Sequence, residues 1–262
     1  MNFLDKILEV KRREVAILRA KQKIREYPPG HLFNSPRFDL TGELKKTPGI
    51  AVIAEVKKAS PSKGVLREDF NHVLIATDYM NNGASALSIL TDREFFQGSI
   101  GFLSDIAGFK TRPLLRKDFI IDELQIVEAR EAGADAILLI SEALTKEEIA
   151  KLTRYAYSLG LGVLLELHST DQLTKIDFGL NTLIGVNNRD LVSFNTDLAT
   201  TEKISGLIPS GVTLVSESGI RAEADVKRVM NAGAKAVLVG EHFMRQTNPG
   251  AALAEMKAWG QQ

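Results

Sequence analysis

The chain contains no cysteine among its 262 residues, which excludes disulfide bonds, thiolate catalysis and metal sites with cysteine ligands. Its four histidines are scattered at positions 31, 72, 168 and 242. They lack the spacing that metal-binding histidines show, so we predict no metal site. Lys plus Arg and Asp plus Glu both number 33, which makes the formal net charge zero. This balance gives no electrostatic reason to expect nucleic acid or an anionic membrane as a partner.

Long apolar runs are also missing, because none approaches the roughly 20 residues that span a membrane. The first six residues, MNFLDK, lack the apolar core of a signal peptide. We therefore expect no membrane contact, and the absence of cysteine favours a cytoplasmic location. The chain does contain 44% hydrophobic residues, and its length suits one α/β barrel of about 250 residues.

Short apolar runs alternate with helical patterns from residue 50 onward. Runs of this length, bounded by turn signals, predict buried strands. Eight are present, at residues 50–56, 84–90, 113–117, 135–140, 162–167, 182–187, 212–217 and 236–240. Helical patterning is evident between them at 122–132, 145–159 and 221–232. Residues 145–148 and 169–172 both have the sequence of a helix N-cap.

An internal repeat supports this count of strands. Gly-Ala-x-Ala occurs at 83–86, 133–136 and 233–236, each time after a helical segment and at the start of a strand. Glycine suits the left-handed residue that ends a helix. The spacing of the copies corresponds to a unit of about 25 residues, which is the length of one strand and one helix.

Eight such units predict an α/β fold, a (β/α)8 TIM barrel over residues 49–262, with an N-terminal helical extension at 1–48 in the same single domain. Residues 2–26 have the apolar stripe of an amphipathic helix, which we expect to pack against the barrel. A second, short helix is predicted near 40–46. The alternative is a doubly wound open sheet, which usually carries Gly-x-Gly-x-x-Gly after its first strand. Residues 58–64, KASPSKG, do not fit that motif.

Polar residues stand at the C-terminal ends of the predicted strands, where barrels of this kind place their active sites. Glu55 and Lys57 share one face of the first strand, and on this evidence alone a structural salt bridge explains them as well as a site does. Glu166 lies within the apolar run 163–167, where an unpaired carboxylate would be costly. Other strand ends carry Lys117, Asn187, Arg189 and Glu217. Three glutamates and three cations on one rim favour acid–base chemistry on an anionic substrate.

The last two strand ends have the features of a phosphate site. Ser218 and Gly219 precede a helix expected to begin near Arg221, and Gly240 precedes a short helix expected at 241–246. Glycine lets the backbone approach closely, and helix N-termini offer free N–H groups to an anion. Barrels often bind phosphate after strands seven and eight, although each glycine alone is equally well explained as a loop turn.

Five segments, in one order and spacing, resemble the indole-3-glycerol phosphate synthase family. They are EVKKASPS at 55–62, LTDREFFQGS at 90–99, LRKDFI at 115–120, GVNNRDL at 185–191 and SESGI at 216–220. The resemblance extends over essentially the whole chain. It implies an enzyme of tryptophan biosynthesis that converts 1-(2-carboxyphenylamino)-1-deoxyribulose 5-phosphate to indole-3-glycerol phosphate without a cofactor or a metal. We expect a monomer whose partner is this small phosphorylated substrate.

The resemblance also implies roles for individual residues. Lys117 would be the general acid, Glu166 a general base or a carboxylate that stabilises an intermediate, and Lys57 the contact for substrate carboxylate and phosphate. Glu55 and Glu217 would position the lysines and the substrate hydroxyls. Further substrate and phosphate contacts would come from Ser60, Asn187, Arg189, Ser218, Gly219, Gly240 and from the backbone N–H of Glu241. The apolar pocket for the anthranilate ring would consist of Phe96, Phe119, Leu138 and Leu191.

Two other functions fit a barrel of this kind. One is phosphoribosylanthranilate isomerase, a family that carries a catalytic cysteine at the end of its first strand, where this chain has Glu55 and Lys57. The other is a non-catalytic barrel that binds a phosphorylated metabolite. Such a barrel would need neither Lys117 nor Glu166, so their joint presence favours the synthase.

Overall fold

The computed structural model describes residues 3–21, 27–28, 30–190 and 193–261. Within this part of the chain, eight parallel strands close into a barrel. They are β1 (Ala51–Val56), β2 (Ala86–Leu90), β3 (Leu114–Lys117), β4 (Ala136–Ile140), β5 (Gly162–Leu167), β6 (Leu183–Asn187), β7 (Thr213–Glu217) and β8 (Ala236–Val239). Each strand pairs with the next in sequence, and β8 pairs with β1. The predicted (β/α)8 barrel is confirmed, and every strand lies inside its predicted range.

Helices surround the barrel and precede it. The N-terminal extension contains α1 (Phe3–Lys21), a short 3-10 helix (Leu32–Asn34) and α2 (Leu40–Lys46). The helices after β1 are α3 (His72–Asn81), α4 (Ile100–Ala107), α5 (Glu123–Glu131), α6 (Lys146–Ser158), α7 (Ala199–Ser205), α8 (Glu223–Asn231), α9 (Glu241–Met244) and α10 (Pro249–Trp259). Two 3-10 helices, Ser141–Ala143 and Thr170–Lys175, follow β4 and β5. Residues 22–26 of the predicted first helix lie outside the described residues.

The predicted helix ends are partly confirmed. Thr145 Oγ1 accepts a hydrogen bond from the Glu148 N–H, and the Glu148 carboxylate accepts one from the Thr145 N–H, which is a complete capping box. The cap predicted at Ser169 is wrong, since its side chain makes no capping hydrogen bond. The Gln172 side chain instead accepts a hydrogen bond from the His168 N–H. The glycines of the Gly-Ala-x-Ala repeat have φ values of +86°, +86° and +95°, as a left-handed C-cap requires.

The core has two layers, because side chains of a strand alternate between two faces. One face fills the barrel with residues such as Ile53, Leu138 and Leu164, which are fully buried. The other face packs against the surrounding helices. Leu40 and Leu44 of α2 join the inner cluster beside the first residues of several strands. Helix α2 therefore closes the N-terminal end of the barrel.

Helix α1 lies over the opposite end of the barrel. Its apolar stripe, which includes Leu4, Ile7 and Val10, is buried. The Phe3 ring packs edge-on against Phe95, in the loop after β2. The predicted amphipathic helix therefore packs on the barrel, at the end where the strands finish. No helix in the described part of the chain has the length and apolar character to cross a membrane.

Candidate active site

One cavity opens at the C-terminal ends of the strands, beneath α1. Predicted site residues line it: Glu55, Lys57, Ser60, Phe96, Lys117, Phe119, Leu138, Glu166, Asn187, Arg189, Glu217, Ser218, Gly219, Gly240 and Glu241. The remaining predicted residue, Leu191, lies outside the described residues. Positions far apart in sequence meet here because parallel barrel strands all end at the same rim.

Lys117, the last residue of β3, lies at the centre of the charged groups. Its ammonium is 3.0 Å from Glu166 Oε2 and 3.8 Å from Glu217 Oε2. Burial by itself lowers the pKa of a lysine, but the carboxylates of Glu166, Glu217 and Glu55 outweigh burial and raise the pKa of Lys117 above its usual value. Lys117 is therefore an ammonium ion at neutral pH, which is the form that a general acid needs.

The two buried glutamates next to Lys117 differ in the direction of their pKa shifts. Burial tends to raise the pKa of both. For Glu166, the charge of Lys117 and the contact with His168 overcome this effect and hold the pKa below its usual value. For Glu217, burial and the negative charge of Glu166 act together and raise the pKa well above its usual value. Carboxyl groups whose pKa values are pushed apart in this way are suited to opposite acid–base roles.

Glu55 and Lys57 form an ion pair on the rim of the cavity. Lys57 Nζ lies 2.6 Å from Glu55 Oε2, and both side chains are largely buried. The salt bridge that the sequence allowed is present, and both residues also line the cavity. The pair brings a second ammonium into the cavity, beside the one at Lys117.

Two glycines leave space for the glutamates. A Cβ atom on Gly240 would collide with the Glu55 carboxylate, and one on Gly185 would collide with Glu217 Oε1. Gly240 is predicted from sequence as a phosphate contact, and the structure adds this steric requirement. Gly185 is absent from the residues that the sequence predicts for the site. Nothing in the sequence shows that the Glu217 side chain, from the neighbouring strand, occupies the space that a Cβ atom at position 185 would need.

The rim after β7 and β8 carries the predicted phosphate residues. Ser218 has a φ of +67°, which is unusual for a residue with a side chain and is typical of functional sites. Helix α9 begins at Glu241, as expected, but ends at Met244. The Arg189 guanidinium lies 3.0 Å from Glu241 Oε2 and the Arg245 guanidinium 3.2 Å from Glu241 Oε1. The Glu241 carboxylate thus has two cationic partners, which offset its charge on this rim.

The apolar side of the cavity is aromatic. The rings of Phe96 and Phe119 lie 6.1 Å apart between centroids, and Leu138 lies in the same wall. Helix α1 adds Phe3, Leu4 and Ile7, and Phe194 also lines the cavity. The α1 residues are missing from the sequence-based set because an apolar stripe on an amphipathic helix indicates packing and not which surface it covers.

Lys11 of α1 is a second residue that the sequence does not single out. It is buried, and its ammonium lies 2.7 Å from Asp92 Oδ2 and 2.9 Å from Asp118 Oδ1. Asp92 Oδ1 accepts hydrogen bonds from the N–H groups of Phe95 and Phe96. Asp118 follows Lys117 directly, at the end of β3. One lysine therefore ties the covering helix to the two loops that carry the aromatic wall.

The family of the chain is shown by its similarity to known proteins. Residues 4–256 match the family model described as indole-3-glycerol phosphate synthase. The chain is 46% identical over 256 residues to the indole-3-glycerol phosphate synthase of Geobacillus sp. (strain WCH70), covering 97% of this chain and 96% of that protein. It is 45% identical over 246 residues to the enzyme of the same name from Aliarcobacter butzleri (strain RM4018), covering 93% of this chain and 94% of that protein.

Similarity of fold extends to more distant proteins. The tryptophan synthase subunit alpha from Legionella pneumophila str. Paris aligns with a TM-score of 0.61, over 84% of this chain and 97% of that one. Its sequence identity is 16%, so this likeness concerns the barrel alone. From the family model and the two close relatives, the chain belongs to the indole-3-glycerol phosphate synthase family, whose members are decarboxylating lyases of tryptophan biosynthesis.

Proposed function

We propose that the chain converts 1-(2-carboxyphenylamino)-1-deoxyribulose 5-phosphate to indole-3-glycerol phosphate, with Lys117 as general acid and Glu166 as general base. The observation that carries this proposal is the buried pair of Lys117 and Glu166, whose charged atoms lie 3.0 Å apart inside the cavity. One end of that cavity is aromatic, and the other carries the Arg189 guanidinium. Those surfaces match the two ends of the substrate, an anthranilate ring and a phosphate.

Lys117 starts the reaction by protonating the ribulose carbonyl oxygen. The ring carbon that bears the carboxylate then attacks the carbonyl carbon, and a carbon–carbon bond forms while the oxygen becomes a hydroxyl. Lys117 is suited to this step because its proton is held beside three carboxyl groups and directed into the cavity. A positioned acid of this kind contributes about 10²–10⁴-fold to the rate.

Loss of CO2 restores the aromatic ring, and its electron pair stays with the ring carbon. The wall of Phe96, Phe119 and Leu138 surrounds the place of the substrate ring. The hydroxyl then takes a second proton, from Lys117 after it has been protonated again, and leaves as water. Glu166 accepts the proton that the methylene carbon loses. Glu166 is ready for this step because Lys117 keeps it ionised.

The other polar residues hold the substrate and the lysines. Lys57 contacts the substrate carboxylate and phosphate, and Glu55 fixes its ammonium at 2.6 Å. Burial and the negative charge of Glu166 raise the pKa of Glu217, and its carboxyl group holds a substrate hydroxyl. Asn187 supplies an amide, and the contacts around the phosphate are Ser60, Arg189, Ser218, Gly219, Gly240 and the Glu241 N–H.

Indole fluorescence after mixing the purified chain with the substrate tests this function. We expect Lys117→Ala to abolish product formation while substrate binding survives, and Glu166→Gln to lower turnover by orders of magnitude in an unchanged fold. Near-normal turnover of the Lys117→Ala variant would refute the mechanism in which Lys117 is the general acid. Loss of fold in Glu166→Gln would make that residue structural. A folded wild-type chain that binds the substrate without turnover would be a metabolite-binding barrel.

We also propose that the chain acts as a monomer in the cytoplasm, without nucleic acid or membrane partners. The formal net charge of zero gives no electrostatic reason to expect nucleic acid or an anionic membrane as a partner. Light scattering coupled to size exclusion tests the monomer. A dimer at assay concentrations would contradict it.

A further inference from the structure

The proposed reaction needs a proton from solvent in every turnover. The carbonyl oxygen leaves as water and so takes up two protons. One is recovered from the substrate methylene carbon. No second proton comes from the ionised carboxylate, which leaves as neutral CO2. The site must therefore be supplied with one proton per product, and this conclusion rests on the proposed function.

The groups that handle this proton are shielded from water. Helix α1 covers the cavity with Phe3, Leu4 and Ile7, and the Glu166 side chain is 2% exposed. A substrate that fills the cavity would leave little room for water beside Lys117. Because the Lys117 side chain is 15% exposed and lines the cavity, the bound substrate itself would block its direct contact with water. A path through the protein would supply the second proton while the cavity is filled.

His168 lies on the far side of Glu166 from Lys117. It follows β5 by one residue and is two positions beyond Glu166, so both side chains point the same way. His168 Nε2 is 3.2 Å from Glu166 Oε1, while Lys117 contacts the other oxygen, Glu166 Oε2, at 3.0 Å. The Glu166 carboxylate thus bridges the imidazole and the proposed general acid.

The second ring nitrogen of His168 faces the surface. Nδ1 is 3.5 Å from Oε2 of Glu142, in the 3-10 helix after β4. The His168 side chain is 6% exposed and the Glu142 side chain 35%, so this step leads from the interior to solvent. Among the described residues, neither ring nitrogen makes a hydrogen bond of good geometry. Each nitrogen faces one carboxylate oxygen, and no other described group competes for either nitrogen.

The neighbourhood of His168 holds this chain of groups in place. Lys175, from the 3-10 helix after β5, donates to the backbone oxygens of Ser141 and Leu144 on either side of Glu142. The charged groups that face the imidazole are the carboxylates of Glu166 from β5 and Glu142 from the other 3-10 helix. The Lys175 ammonium is held by the backbone oxygens and does not compete for them.

We propose that Glu142, His168 and Glu166 form a relay that carries the solvent proton to Lys117. Glu142 passes a proton to His168 Nδ1, and the imidazole releases the proton on Nε2 to Glu166 Oε1. Before dehydration, Glu166 passes a proton from Oε2 to Lys117, which returns to its ammonium form and protonates the leaving hydroxyl. The proton that Glu166 later takes from the methylene carbon recharges Lys117 for the next turnover. One proton enters at the surface and one leaves as part of the product water, and no electrons are exchanged. His168 is a positioning and transfer residue that does not touch the substrate.

Chemical rescue of His168→Gln distinguishes this role from packing. At saturating substrate, we expect kcat to fall by at least about tenfold with KM nearly unchanged, because other general acid–base groups contribute about 10²–10⁴-fold. Added imidazole should restore much of the lost kcat, since it replaces the missing carrier. Imidazole should leave the wild type unchanged. Loss of kcat that imidazole does not restore, or no loss at all, would overturn the relay.

The surface end of the relay has a matched control. Glu142→Gln should lower kcat by less than His168→Gln, because solvent can reach the imidazole from that side. Glu147→Gln changes another exposed glutamate, on α6, and should leave kcat as in the wild type. Equal rates for the Glu142 and Glu147 variants would remove Glu142 from the relay as stated. His168→Asn serves as the second test if the Gln variant unfolds early in a thermal scan.

These results are separable from the test of the function itself. A wild-type chain that makes no indole-3-glycerol phosphate refutes the proposed function, and with it the demand for a proton. An active wild type with an inactive Lys117→Ala variant and a fully active His168→Gln variant refutes only the relay.

Discussion

Replacing Lys11 with methionine should destabilise the protein by about 3–5 kcal/mol, the cost of removing one partner from a buried ion pair. Methionine matches the length of the lysine side chain, so the change removes the charge and leaves little empty space. Burial lowers the pKa of Lys11, but the carboxylates of Asp118 and Asp92 outweigh burial and raise it above its usual value. Lys11 is therefore charged throughout the range in which the protein would be studied.

Most of this cost falls on Asp92. Its side chain is fully buried and its only described cation is Lys11. Asp118, in contrast, keeps Arg116, whose Nη2 lies 3.1 Å from Asp118 Oδ2. In the variant, Asp92 keeps hydrogen bonds from backbone N–H groups, but its charge has no counterion. The double variant Lys11→Met with Asp92→Asn should therefore recover part of the stability lost by Lys11→Met alone.

Denaturant unfolding followed by circular dichroism measures these differences. Lys6→Met is the matched control, because Lys6 is the same residue type on the same helix but exposed, and surface changes cost up to about 0.5 kcal/mol. Equal stability of the Lys11→Met and Lys6→Met variants would refute the reasoning. The folded Lys11→Met variant should also show a raised KM, since Asp92 and Asp118 hold the loops that carry Phe96 and Phe119.

Three further outcomes are expected. Gly240→Ala should push against the Glu55 carboxylate, costing about 1–3 kcal/mol of stability and most of the turnover in the fluorescence assay; a fully active variant would contradict this. Glu241→Gln should lower KM by up to about fivefold, because it removes a charge beside phosphate and releases Arg189 from a partly exposed pair worth up to about 1 kcal/mol; steady-state kinetics decide it. Burial tends to raise the pKa of Asp118, but the cations beside it lower the pKa from 3.8 to about 2. This shift contributes about 2 kcal/mol to the free energy of unfolding. The contribution is fully present above a pH of about 4 and is lost as the pH falls through about 2. Acid titration of Asp118→Asn should therefore show a shallower loss of stability, and an unchanged slope would assign that loss to other carboxyls.

The barrel is predictable from sequence because its signals are local. Each strand is a short apolar run, and the glycine of the repeat marks the point where a helix ends and the next strand begins. These features depend on neighbours in the chain, so the strand bounds agree with the structure. The cap predicted at Ser169 is wrong because these residues permit more than one local hydrogen-bond pattern. The 3-10 helix that follows Ser169 forms without a hydrogen bond from a capping side chain.

The site is predictable only in part. Strand ends identify Lys117 and Glu166 because an ionisable residue at the end of an apolar run is conspicuous. Lys11 is one of several basic residues on an amphipathic helix, and its burial depends on two aspartates from distant loops. The pKa of Lys117 is similarly unpredictable, since burial and carboxylates act in opposite directions and the outcome depends on distances. The need for glycine at position 185 is unpredictable for the same reason, because it comes from the Glu217 side chain on the next strand.

Charge balance explains how the three glutamates around Lys117 and Lys57 are compatible with an anionic substrate. If Glu55, Glu166 and Glu217 were all ionised, they would outnumber the ammonium groups of Lys57 and Lys117. Burial and the negative charge of Glu166 raise the pKa of Glu217 well above its usual value, although Lys117 acts in the opposite direction. Glu217 therefore takes up a proton more readily than an ordinary glutamate does. A protonated carboxyl group donates a hydrogen bond, as an ionised one cannot. The same close packing that raises the pKa of Glu217 therefore disfavours a repulsive charge and favours a hydrogen-bond donor at this position.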